Sequence, residues 1–202
     1  MIKLPARTFL AVSITFALST TAQAAGFALI ENSASGMGNA FAGAAAVAED
    51  ASTTWFNPAG MAELGDGTHV SAAGHIIIPK AKFTNKGSWV NPALTGGDFE
   101  QAKAALIGKN DDGGKAAFVP NAYAVKRINE KLTAGVGINA PFGLETNYED
   151  DWIGRYNALD SSMQTVNINP SIAYEVNEQL TFGGGVNLQE NGRSAPCRHC
   201  RR

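Results

Sequence analysis

Apolar residues recur at every second position in one stretch of this chain after another. Val166, Ile168, Pro170, Ile172, Tyr174 and Val176 alternate with Thr165, Asn167, Asn169, Ser171, Ala173 and Glu175. After a short break at Asn177-Glu178-Gln179, the pattern resumes with Leu180, Phe182, Gly184, Val186 and Leu188. A period of two separates the two faces of a β-strand, whereas a helix brings its faces round every 3.6 residues. Two architectures use such strands. A soluble sheet turns the apolar face to a core, and a membrane barrel turns it to lipid around a polar interior.

The N-terminus favours the membrane. Lys3 and Arg7 flank the start of a mostly apolar run from Phe9 to Leu18, and Ala22-Gln23-Ala24 follows. A basic start, a short apolar run and a small-x-small site are the marks of a secretory signal. Residues 1–24 are therefore read as a signal peptide. The run is too short for a membrane helix, which needs ~20 apolar residues. Export without a helical anchor leaves the periplasm, the exterior or the outer membrane.

The chain carries 16 basic and 18 acidic residues, net −2. Six of the basic residues (Lys3, Arg7, Arg193, Arg198, Arg201, Arg202) lie at the two ends, so the body is markedly acidic. That excludes nucleic acid as a partner, since binding it calls for a basic stripe. The mean hydropathy of −0.09 is no argument against a barrel, because alternation hides the lipid face in the average. Residues 191–202, NGRSAPCRHCRR, break the alternation and hold both cysteines. Cys197-x-x-Cys200 with His199 gives at most three zinc ligands and lacks the helix that activates a redox thiol. This tail reads as aberrant, the mark of a truncated or frame-shifted end.

Strands are expected at about 68–79, 116–127, 131–146, 165–176 and 180–189, the second weakened by Pro120. The connections between them run long, short, long, short. Outer-membrane barrels alternate short periplasmic turns with longer external loops in this way. Strands of about ten residues also match the ~9–11 that cross a bilayer, against ~5–6 in soluble sheets. Residues 25–65 differ: Ala- and Gly-rich, with Asn57-Pro58-Ala59-Gly60 as a turn. Short helices are expected there.

Several segments together resemble the FadL family of outer-membrane transporters for long-chain fatty acids and other hydrophobic compounds. They are Ala25-Gly26-Phe27-Ala28-Leu29-Ile30-Glu31-Asn32-Ser33, Ala40-Phe41-Ala42-Gly43, Ala48-Glu49-Asp50-Ala51, Asn57-Pro58-Ala59-Gly60, Asn139-Ala140-Pro141-Phe142-Gly143-Leu144, Trp152-Ile153-Gly154-Arg155-Tyr156 and Asn167-Ile168-Asn169-Pro170-Ser171. The resemblance implies an all-β membrane barrel of about fourteen antiparallel strands, an even number within the range known for such barrels. About five of them fall in this chain, at residues 66–190, behind a small helical hatch at residues 25–65. It also implies passive uptake of fatty acids or aromatic hydrocarbons across the outer membrane of a Gram-negative bacterium. Contacts with outer-membrane lipid and lipopolysaccharide, and insertion by the barrel-assembly machinery, come with it. No cofactor is implied.

On that template Phe27 lines an inner pocket, and Asn57, Pro58 and Ala59 form the hatch motif. Pro141, Phe142 and Gly143 kink a wall strand, because proline cannot donate to a ladder and glycine weakens it; the family uses such a kink as a lateral opening. Arg155 is a candidate contact for a carboxylate head group, since arginine grips carboxylates through two N–H bonds. Tyr148, Trp152 and Tyr156 suit an interfacial girdle or an external groove. His69 and His75 fall on the polar face of the first strand. No G-x-S-x-G, H-E-x-x-H or P-loop occurs, so catalysis finds no support. A structural or adhesive outer-membrane protein that binds through its external loops is the alternative function.

Overall fold

The computed structural model describes residues 28–194. Residues 1–24, read above as a signal peptide, Phe27 and the two cysteines with His199 lie outside the described residues.

Five long antiparallel strands form the wall, two of them broken in the middle. The first is β1 (Thr68–Ile77). A long loop follows, with the short pair β2 (Lys82–Phe83) and β3 (Asp111–Asp112) and the helix α3 (Phe99–Ala105). The second strand is β4 (Ala117–Arg127). The third is split into β5 (Leu132–Asn139) and β6 (Gly143–Asn147). The fourth, β7 (Asp160–Asn177), is unbroken and the longest. The fifth is split into β8 (Leu180–Gly185) and β9 (Leu188–Ser194). Each long strand pairs with its sequence neighbour: β1 with β4, β4 with β5, β7 with both β5 and β6, and β7 with both β8 and β9. No helix among the described residues is long and apolar enough to cross a membrane, and this wall crosses with strands.

The burial pattern is that of a soluble sheet turned inside out. On β7, Thr165, Asn167, Asn169, Ser171 and Ala173 are buried, while Val166, Ile168, Pro170, Ile172 and Tyr174 are exposed. Asn167 is 0% exposed and Ile172 on the opposite face is 59% exposed; Ile76 on β1 reaches 73%. An apolar face this bare would aggregate in water and is at rest in lipid. The register is fixed by the same pattern, since a slip of one residue would drive every asparagine outward.

The break in the fifth strand has a local cause. Val186 N–H donates to the Pro170 carbonyl at 3.0 Å. Pro170 has no N–H to return, so the ladder from β7 lapses between β8 and β9. Pairing then resumes and runs to Ser194, opposite Ser162. The strand thus extends four residues past 190, where the side-chain alternation ends. Backbone pairing does not need alternation, and Asn191 is held by a hydrogen bond from Thr165 Oγ1 at 3.1 Å.

Inside the curve lie α1 (Ala34–Gly38), α2 (Thr53–Phe56) and a 3-10 segment, Pro58–Leu64. Ala51, Met61 and Ala62 from this part form one apolar cluster with Tyr123, Val125 and Ala173 of the wall. Gly135 makes the contact possible, because any side chain there would strike the Met61 sulfur. Asp50 holds the inner part together. It accepts from Ser35 Oγ at 2.7 Å and from Ser52 N–H at 2.8 Å.

Candidate functional site: a gap in the wall and the cavity behind it

Sequence and register together open the wall at Ala140-Pro141-Phe142. β5 ends with Asn139 opposite Asn167, and β6 begins with Gly143 opposite Gln164. The third strand takes four steps where β7 takes three, which leaves one extra residue and a bulge. Pro141 adds to the break by lacking an N–H.

The bulge unzips the neighbouring ladder. β4 pairs with the third strand only from Ala122, opposite Ile138, down to Arg127. Among the described residues no strand pair joins Ala117–Asn121 to β6. The gap is closed again at its outer end by a bridge between Gly114 and Thr146 and a hydrogen bond from Asn147 N–H to Gly113 O at 2.8 Å.

A cavity of about 260 Å³ fills the gap. Phe118 and Pro120 line one side, Phe142 and Leu144 the other, with Met163 and Val166 of β7 and Leu29 from the inner segment. Two charged side chains reach it, Lys115 and Glu145. They form an ion pair across the gap, one from each edge.

The inner segment is fastened to the break itself. Leu29 N–H donates to the Pro141 carbonyl at 2.9 Å, and Ala28 pairs with Phe142. Backbone groups freed by the bulge are thus satisfied from inside. Phe27, one residue beyond Ala28, lies outside the described residues.

Asn57, Pro58 and Ala59 sit deeper. Asn57 Oδ1 accepts from Ala59 N–H at 3.2 Å, and its Nδ2 donates to Ala45 O at 2.9 Å. The turn is pressed against Gly183 of β8, where a Cβ would run into the backbone of Pro58 and Ala59. The motif therefore makes close wall contact, and it does not line the cavity at Pro141.

Arg155 is engaged within the two long loops. Its Nη1 donates to Ile107 O at 2.6 Å and Trp152 O at 3.0 Å, and the guanidinium lies 4.6 Å from the centre of the Tyr156 ring. Trp152 stacks on Tyr148 at 4.0 Å and meets Phe83 edge-on at 5.3 Å. The ion pair Lys109–Asp151 ties the same two loops, raising the lysine pKa and lowering that of the aspartate, in each case chiefly through their hydrogen bond. Burial works to raise the Asp50 pKa, but hydrogen bonds from Ser52 and Ser35 outweigh it and hold the carboxyl below 3.8.

Sequence reasoning missed three groups. Tyr123 donates to Asn32 O at 2.8 Å and accepts from Asn139 Nδ2 at 3.4 Å. Asn121 Nδ2 donates to Glu31 O at 3.1 Å. These side chains tether the inner segment to the wall, and the sequence gives no signal for them because β4 alternates poorly: its inward phase mixes Val119 and Val125 with Asn121 and Tyr123. The Lys115–Glu145 pair had no signal, because its members lie 30 residues apart with β4 and β5 between them. His69 and His75 share the inner face of β1, both half-buried. Among the described residues no three His, Cys, Asp or Glu side chains converge as a metal site would require.

A family model described as outer membrane protein transport protein (OMPP1/FadL/TodX) matches residues 15–194. The chain belongs to the OMPP1/FadL/TodX family. Its members are transport proteins and not enzymes, and they reside in the outer membrane. The chain is 34% identical over 179 residues to outer membrane protein P1 of Haemophilus influenzae, covering 82% of this chain and 36% of that one. It is 34% identical over 178 residues to the long-chain fatty acid transport protein of Escherichia coli K12, covering 88% of this chain and 36% of that one. The crystal structure of a Pseudomonas aeruginosa FadL homologue superposes with a TM-score of 0.59 at 22% identity, over 84% of this chain and 38% of that one, and supports the fold. The chain thus spans about a third of the length of the relatives it matches.

Proposed function

We propose that the protein carries hydrophobic molecules passively across the outer membrane and releases them sideways through the gap at Pro141. The substrate enters from outside, moves past the hatch and leaves between β4 and β6 into the bilayer. No covalent step is involved. The observation that carries this reading is the apolar cavity of about 260 Å³ set in an unzipped stretch of wall.

Physical chemistry favours a sideways exit. A hydrophobic molecule gains roughly 25 cal/mol for every Å² of apolar surface kept from water. A route from the interior straight to the acyl layer spares it the aqueous step. Long-chain fatty acids are the first substrates to test, because a relative is named for their transport; aromatic hydrocarbons are the second. Phe27 would line the inner end of the route, and the hatch turn at Asn57-Pro58-Ala59 would hold the hatch against the wall while Leu29 moves. The exposed apolar face meets lipid and lipopolysaccharide, and the barrel-assembly machinery inserts it.

Deleting Pro141 tests the proposal. The deletion equalises the steps on the third strand and β7, so β4 can zip to β6. Uptake of radiolabelled oleate in cells producing the protein from its complete coding region should fall by about tenfold or more, the scale of ~1.4 kcal/mol in a barrier. Uptake unchanged in a variant that reaches the membrane in normal amount would overturn the sideways route.

A further inference from the structure

We propose that Lys115 receives the anionic head of a transported amphiphile at the outer end of the gap, in exchange for Glu145. The inference rests on the sideways route proposed above and names the substrate class that route would select: ionised acids over neutral hydrocarbons.

Three observations support it. The first is placement. Lys115 and Glu145 stand beside the Gly114–Thr146 bridge that closes the outer end, and the rest of the cavity lining is dominated by apolar side chains. An acyl chain lying in the gap among the apolar side chains would have its head at the pair. The second is capacity. A lysine ammonium has three donors, and among the described residues Glu145 takes the one hydrogen bond recorded for it. The Lys115 side chain is 53% exposed and that of Glu145 20%, so the ammonium is the accessible member. The third is exchangeability. An ion pair whose cation is more than half exposed is weakly held, so a second carboxylate can compete for that cation.

The lysine stays charged. Its hydrogen bond with Glu145 raises its pKa above 10.5, and the nearby charge of Asp160 adds to the effect. The two acids also bar a free approach by anions, so a head group must displace Glu145. A neutral alkane has nothing to exchange and gains nothing from Lys115.

The test compares uptake of radiolabelled oleate and radiolabelled hexadecane by cells producing the wild type, Lys115→Met, Lys115→Arg or Glu145→Gln from the complete coding region. Surface amount is checked by heat-modifiable gel mobility. The oleate-to-hexadecane ratio should fall about threefold to tenfold in Lys115→Met, the size of one partly hydrated charge-assisted hydrogen bond. It should recover in Lys115→Arg and rise in Glu145→Gln, which removes the competing anion. A pair that merely ties the two edges would shift both substrates together in both variants; that result, or an unchanged ratio, would overturn the inference while leaving the transport reading intact. Wild-type cells that take up neither probe would overturn the transport reading and this inference with it.

Discussion

The two halves of β4 are built from similar residues and have opposite surroundings. From Ala122 to Arg127 the strand is paired on both edges and backed by the hatch, with Tyr123 and Val125 buried against Met61. From Ala117 to Asn121 it is paired only with β1 and faces a cavity across the gap. The difference has a source on each strand: one extra residue and Pro141 on the third strand, and Pro120, which also lacks an N–H, within the open half of β4. A wall can therefore be opened at one point without weakening the ladder beside it, provided that something inside satisfies the freed backbone groups. Leu29 does so here.

The comparison makes the backed half rigid and the open half adjustable, and it can be broken from either side. The largest effect should come from Met61→Ala, which empties the contact under Gly135. A buried methionine lost from a packed site costs about 2–5 kcal/mol. Denaturant unfolding of the detergent-solubilised protein should show the loss, and an unchanged midpoint would mean that the hatch does not brace the wall. Next is Gly183→Val. Overpacking costs about 1–3 kcal/mol, and here the obstacle is the backbone of Pro58 and Ala59, which cannot rotate aside. Proteolysis should cut the hatch faster in this variant, with the wall resistant.

Tyr123→Phe should have a smaller effect, about 1 kcal/mol for a lost hydrogen bond, and more than that locally, since the Asn32 carbonyl is left without this donor. Hydrogen exchange should rise in residues 28–33 and not in 58–64. The smallest effect is that of pH on Asp50. Its folded pKa is lowered below 3.8, so its contribution is complete above the unfolded value and fades as pH falls through the folded one. Stability should therefore be flat on this account from neutral pH down to about 5 and should drop below about 4. Asp50→Asn should remove that step, and an identical acid profile in the variant would assign it to other carboxylates.

Much of the wall was legible because a membrane barrel writes its geometry into every second residue. Val166 to Val176 announced β7. Pro141 and Gly143 mark a weak point in the third strand, and the strand is interrupted there between β5 and β6. Other features were not written locally. Pro170 reads like one more apolar position, yet its missing N–H coincides with the break between β8 and β9. The run 191–194 lacks alternation, yet it pairs with β7. Arg155, a plausible grip for a carboxylate by residue type, has its Nη1 on the carbonyls of Ile107 and Trp152.

The sequence by itself determined the strand period and the weak point at Pro141, which depend on residues within a few positions of one another, and the membership of the family, which depends on the order and spacing of motifs from residue 25 to residue 171. Only the tertiary structure decided where the ladder between β4 and β6 opens, what fills the opening, and that Lys115 and Glu145 meet across it. Those outcomes depend on register, and register relates residues tens of positions apart, 30 in the case of Lys115 and Glu145. No local pattern encodes a contact at that separation; it exists only once the strands on either side have been fixed by their own pairs.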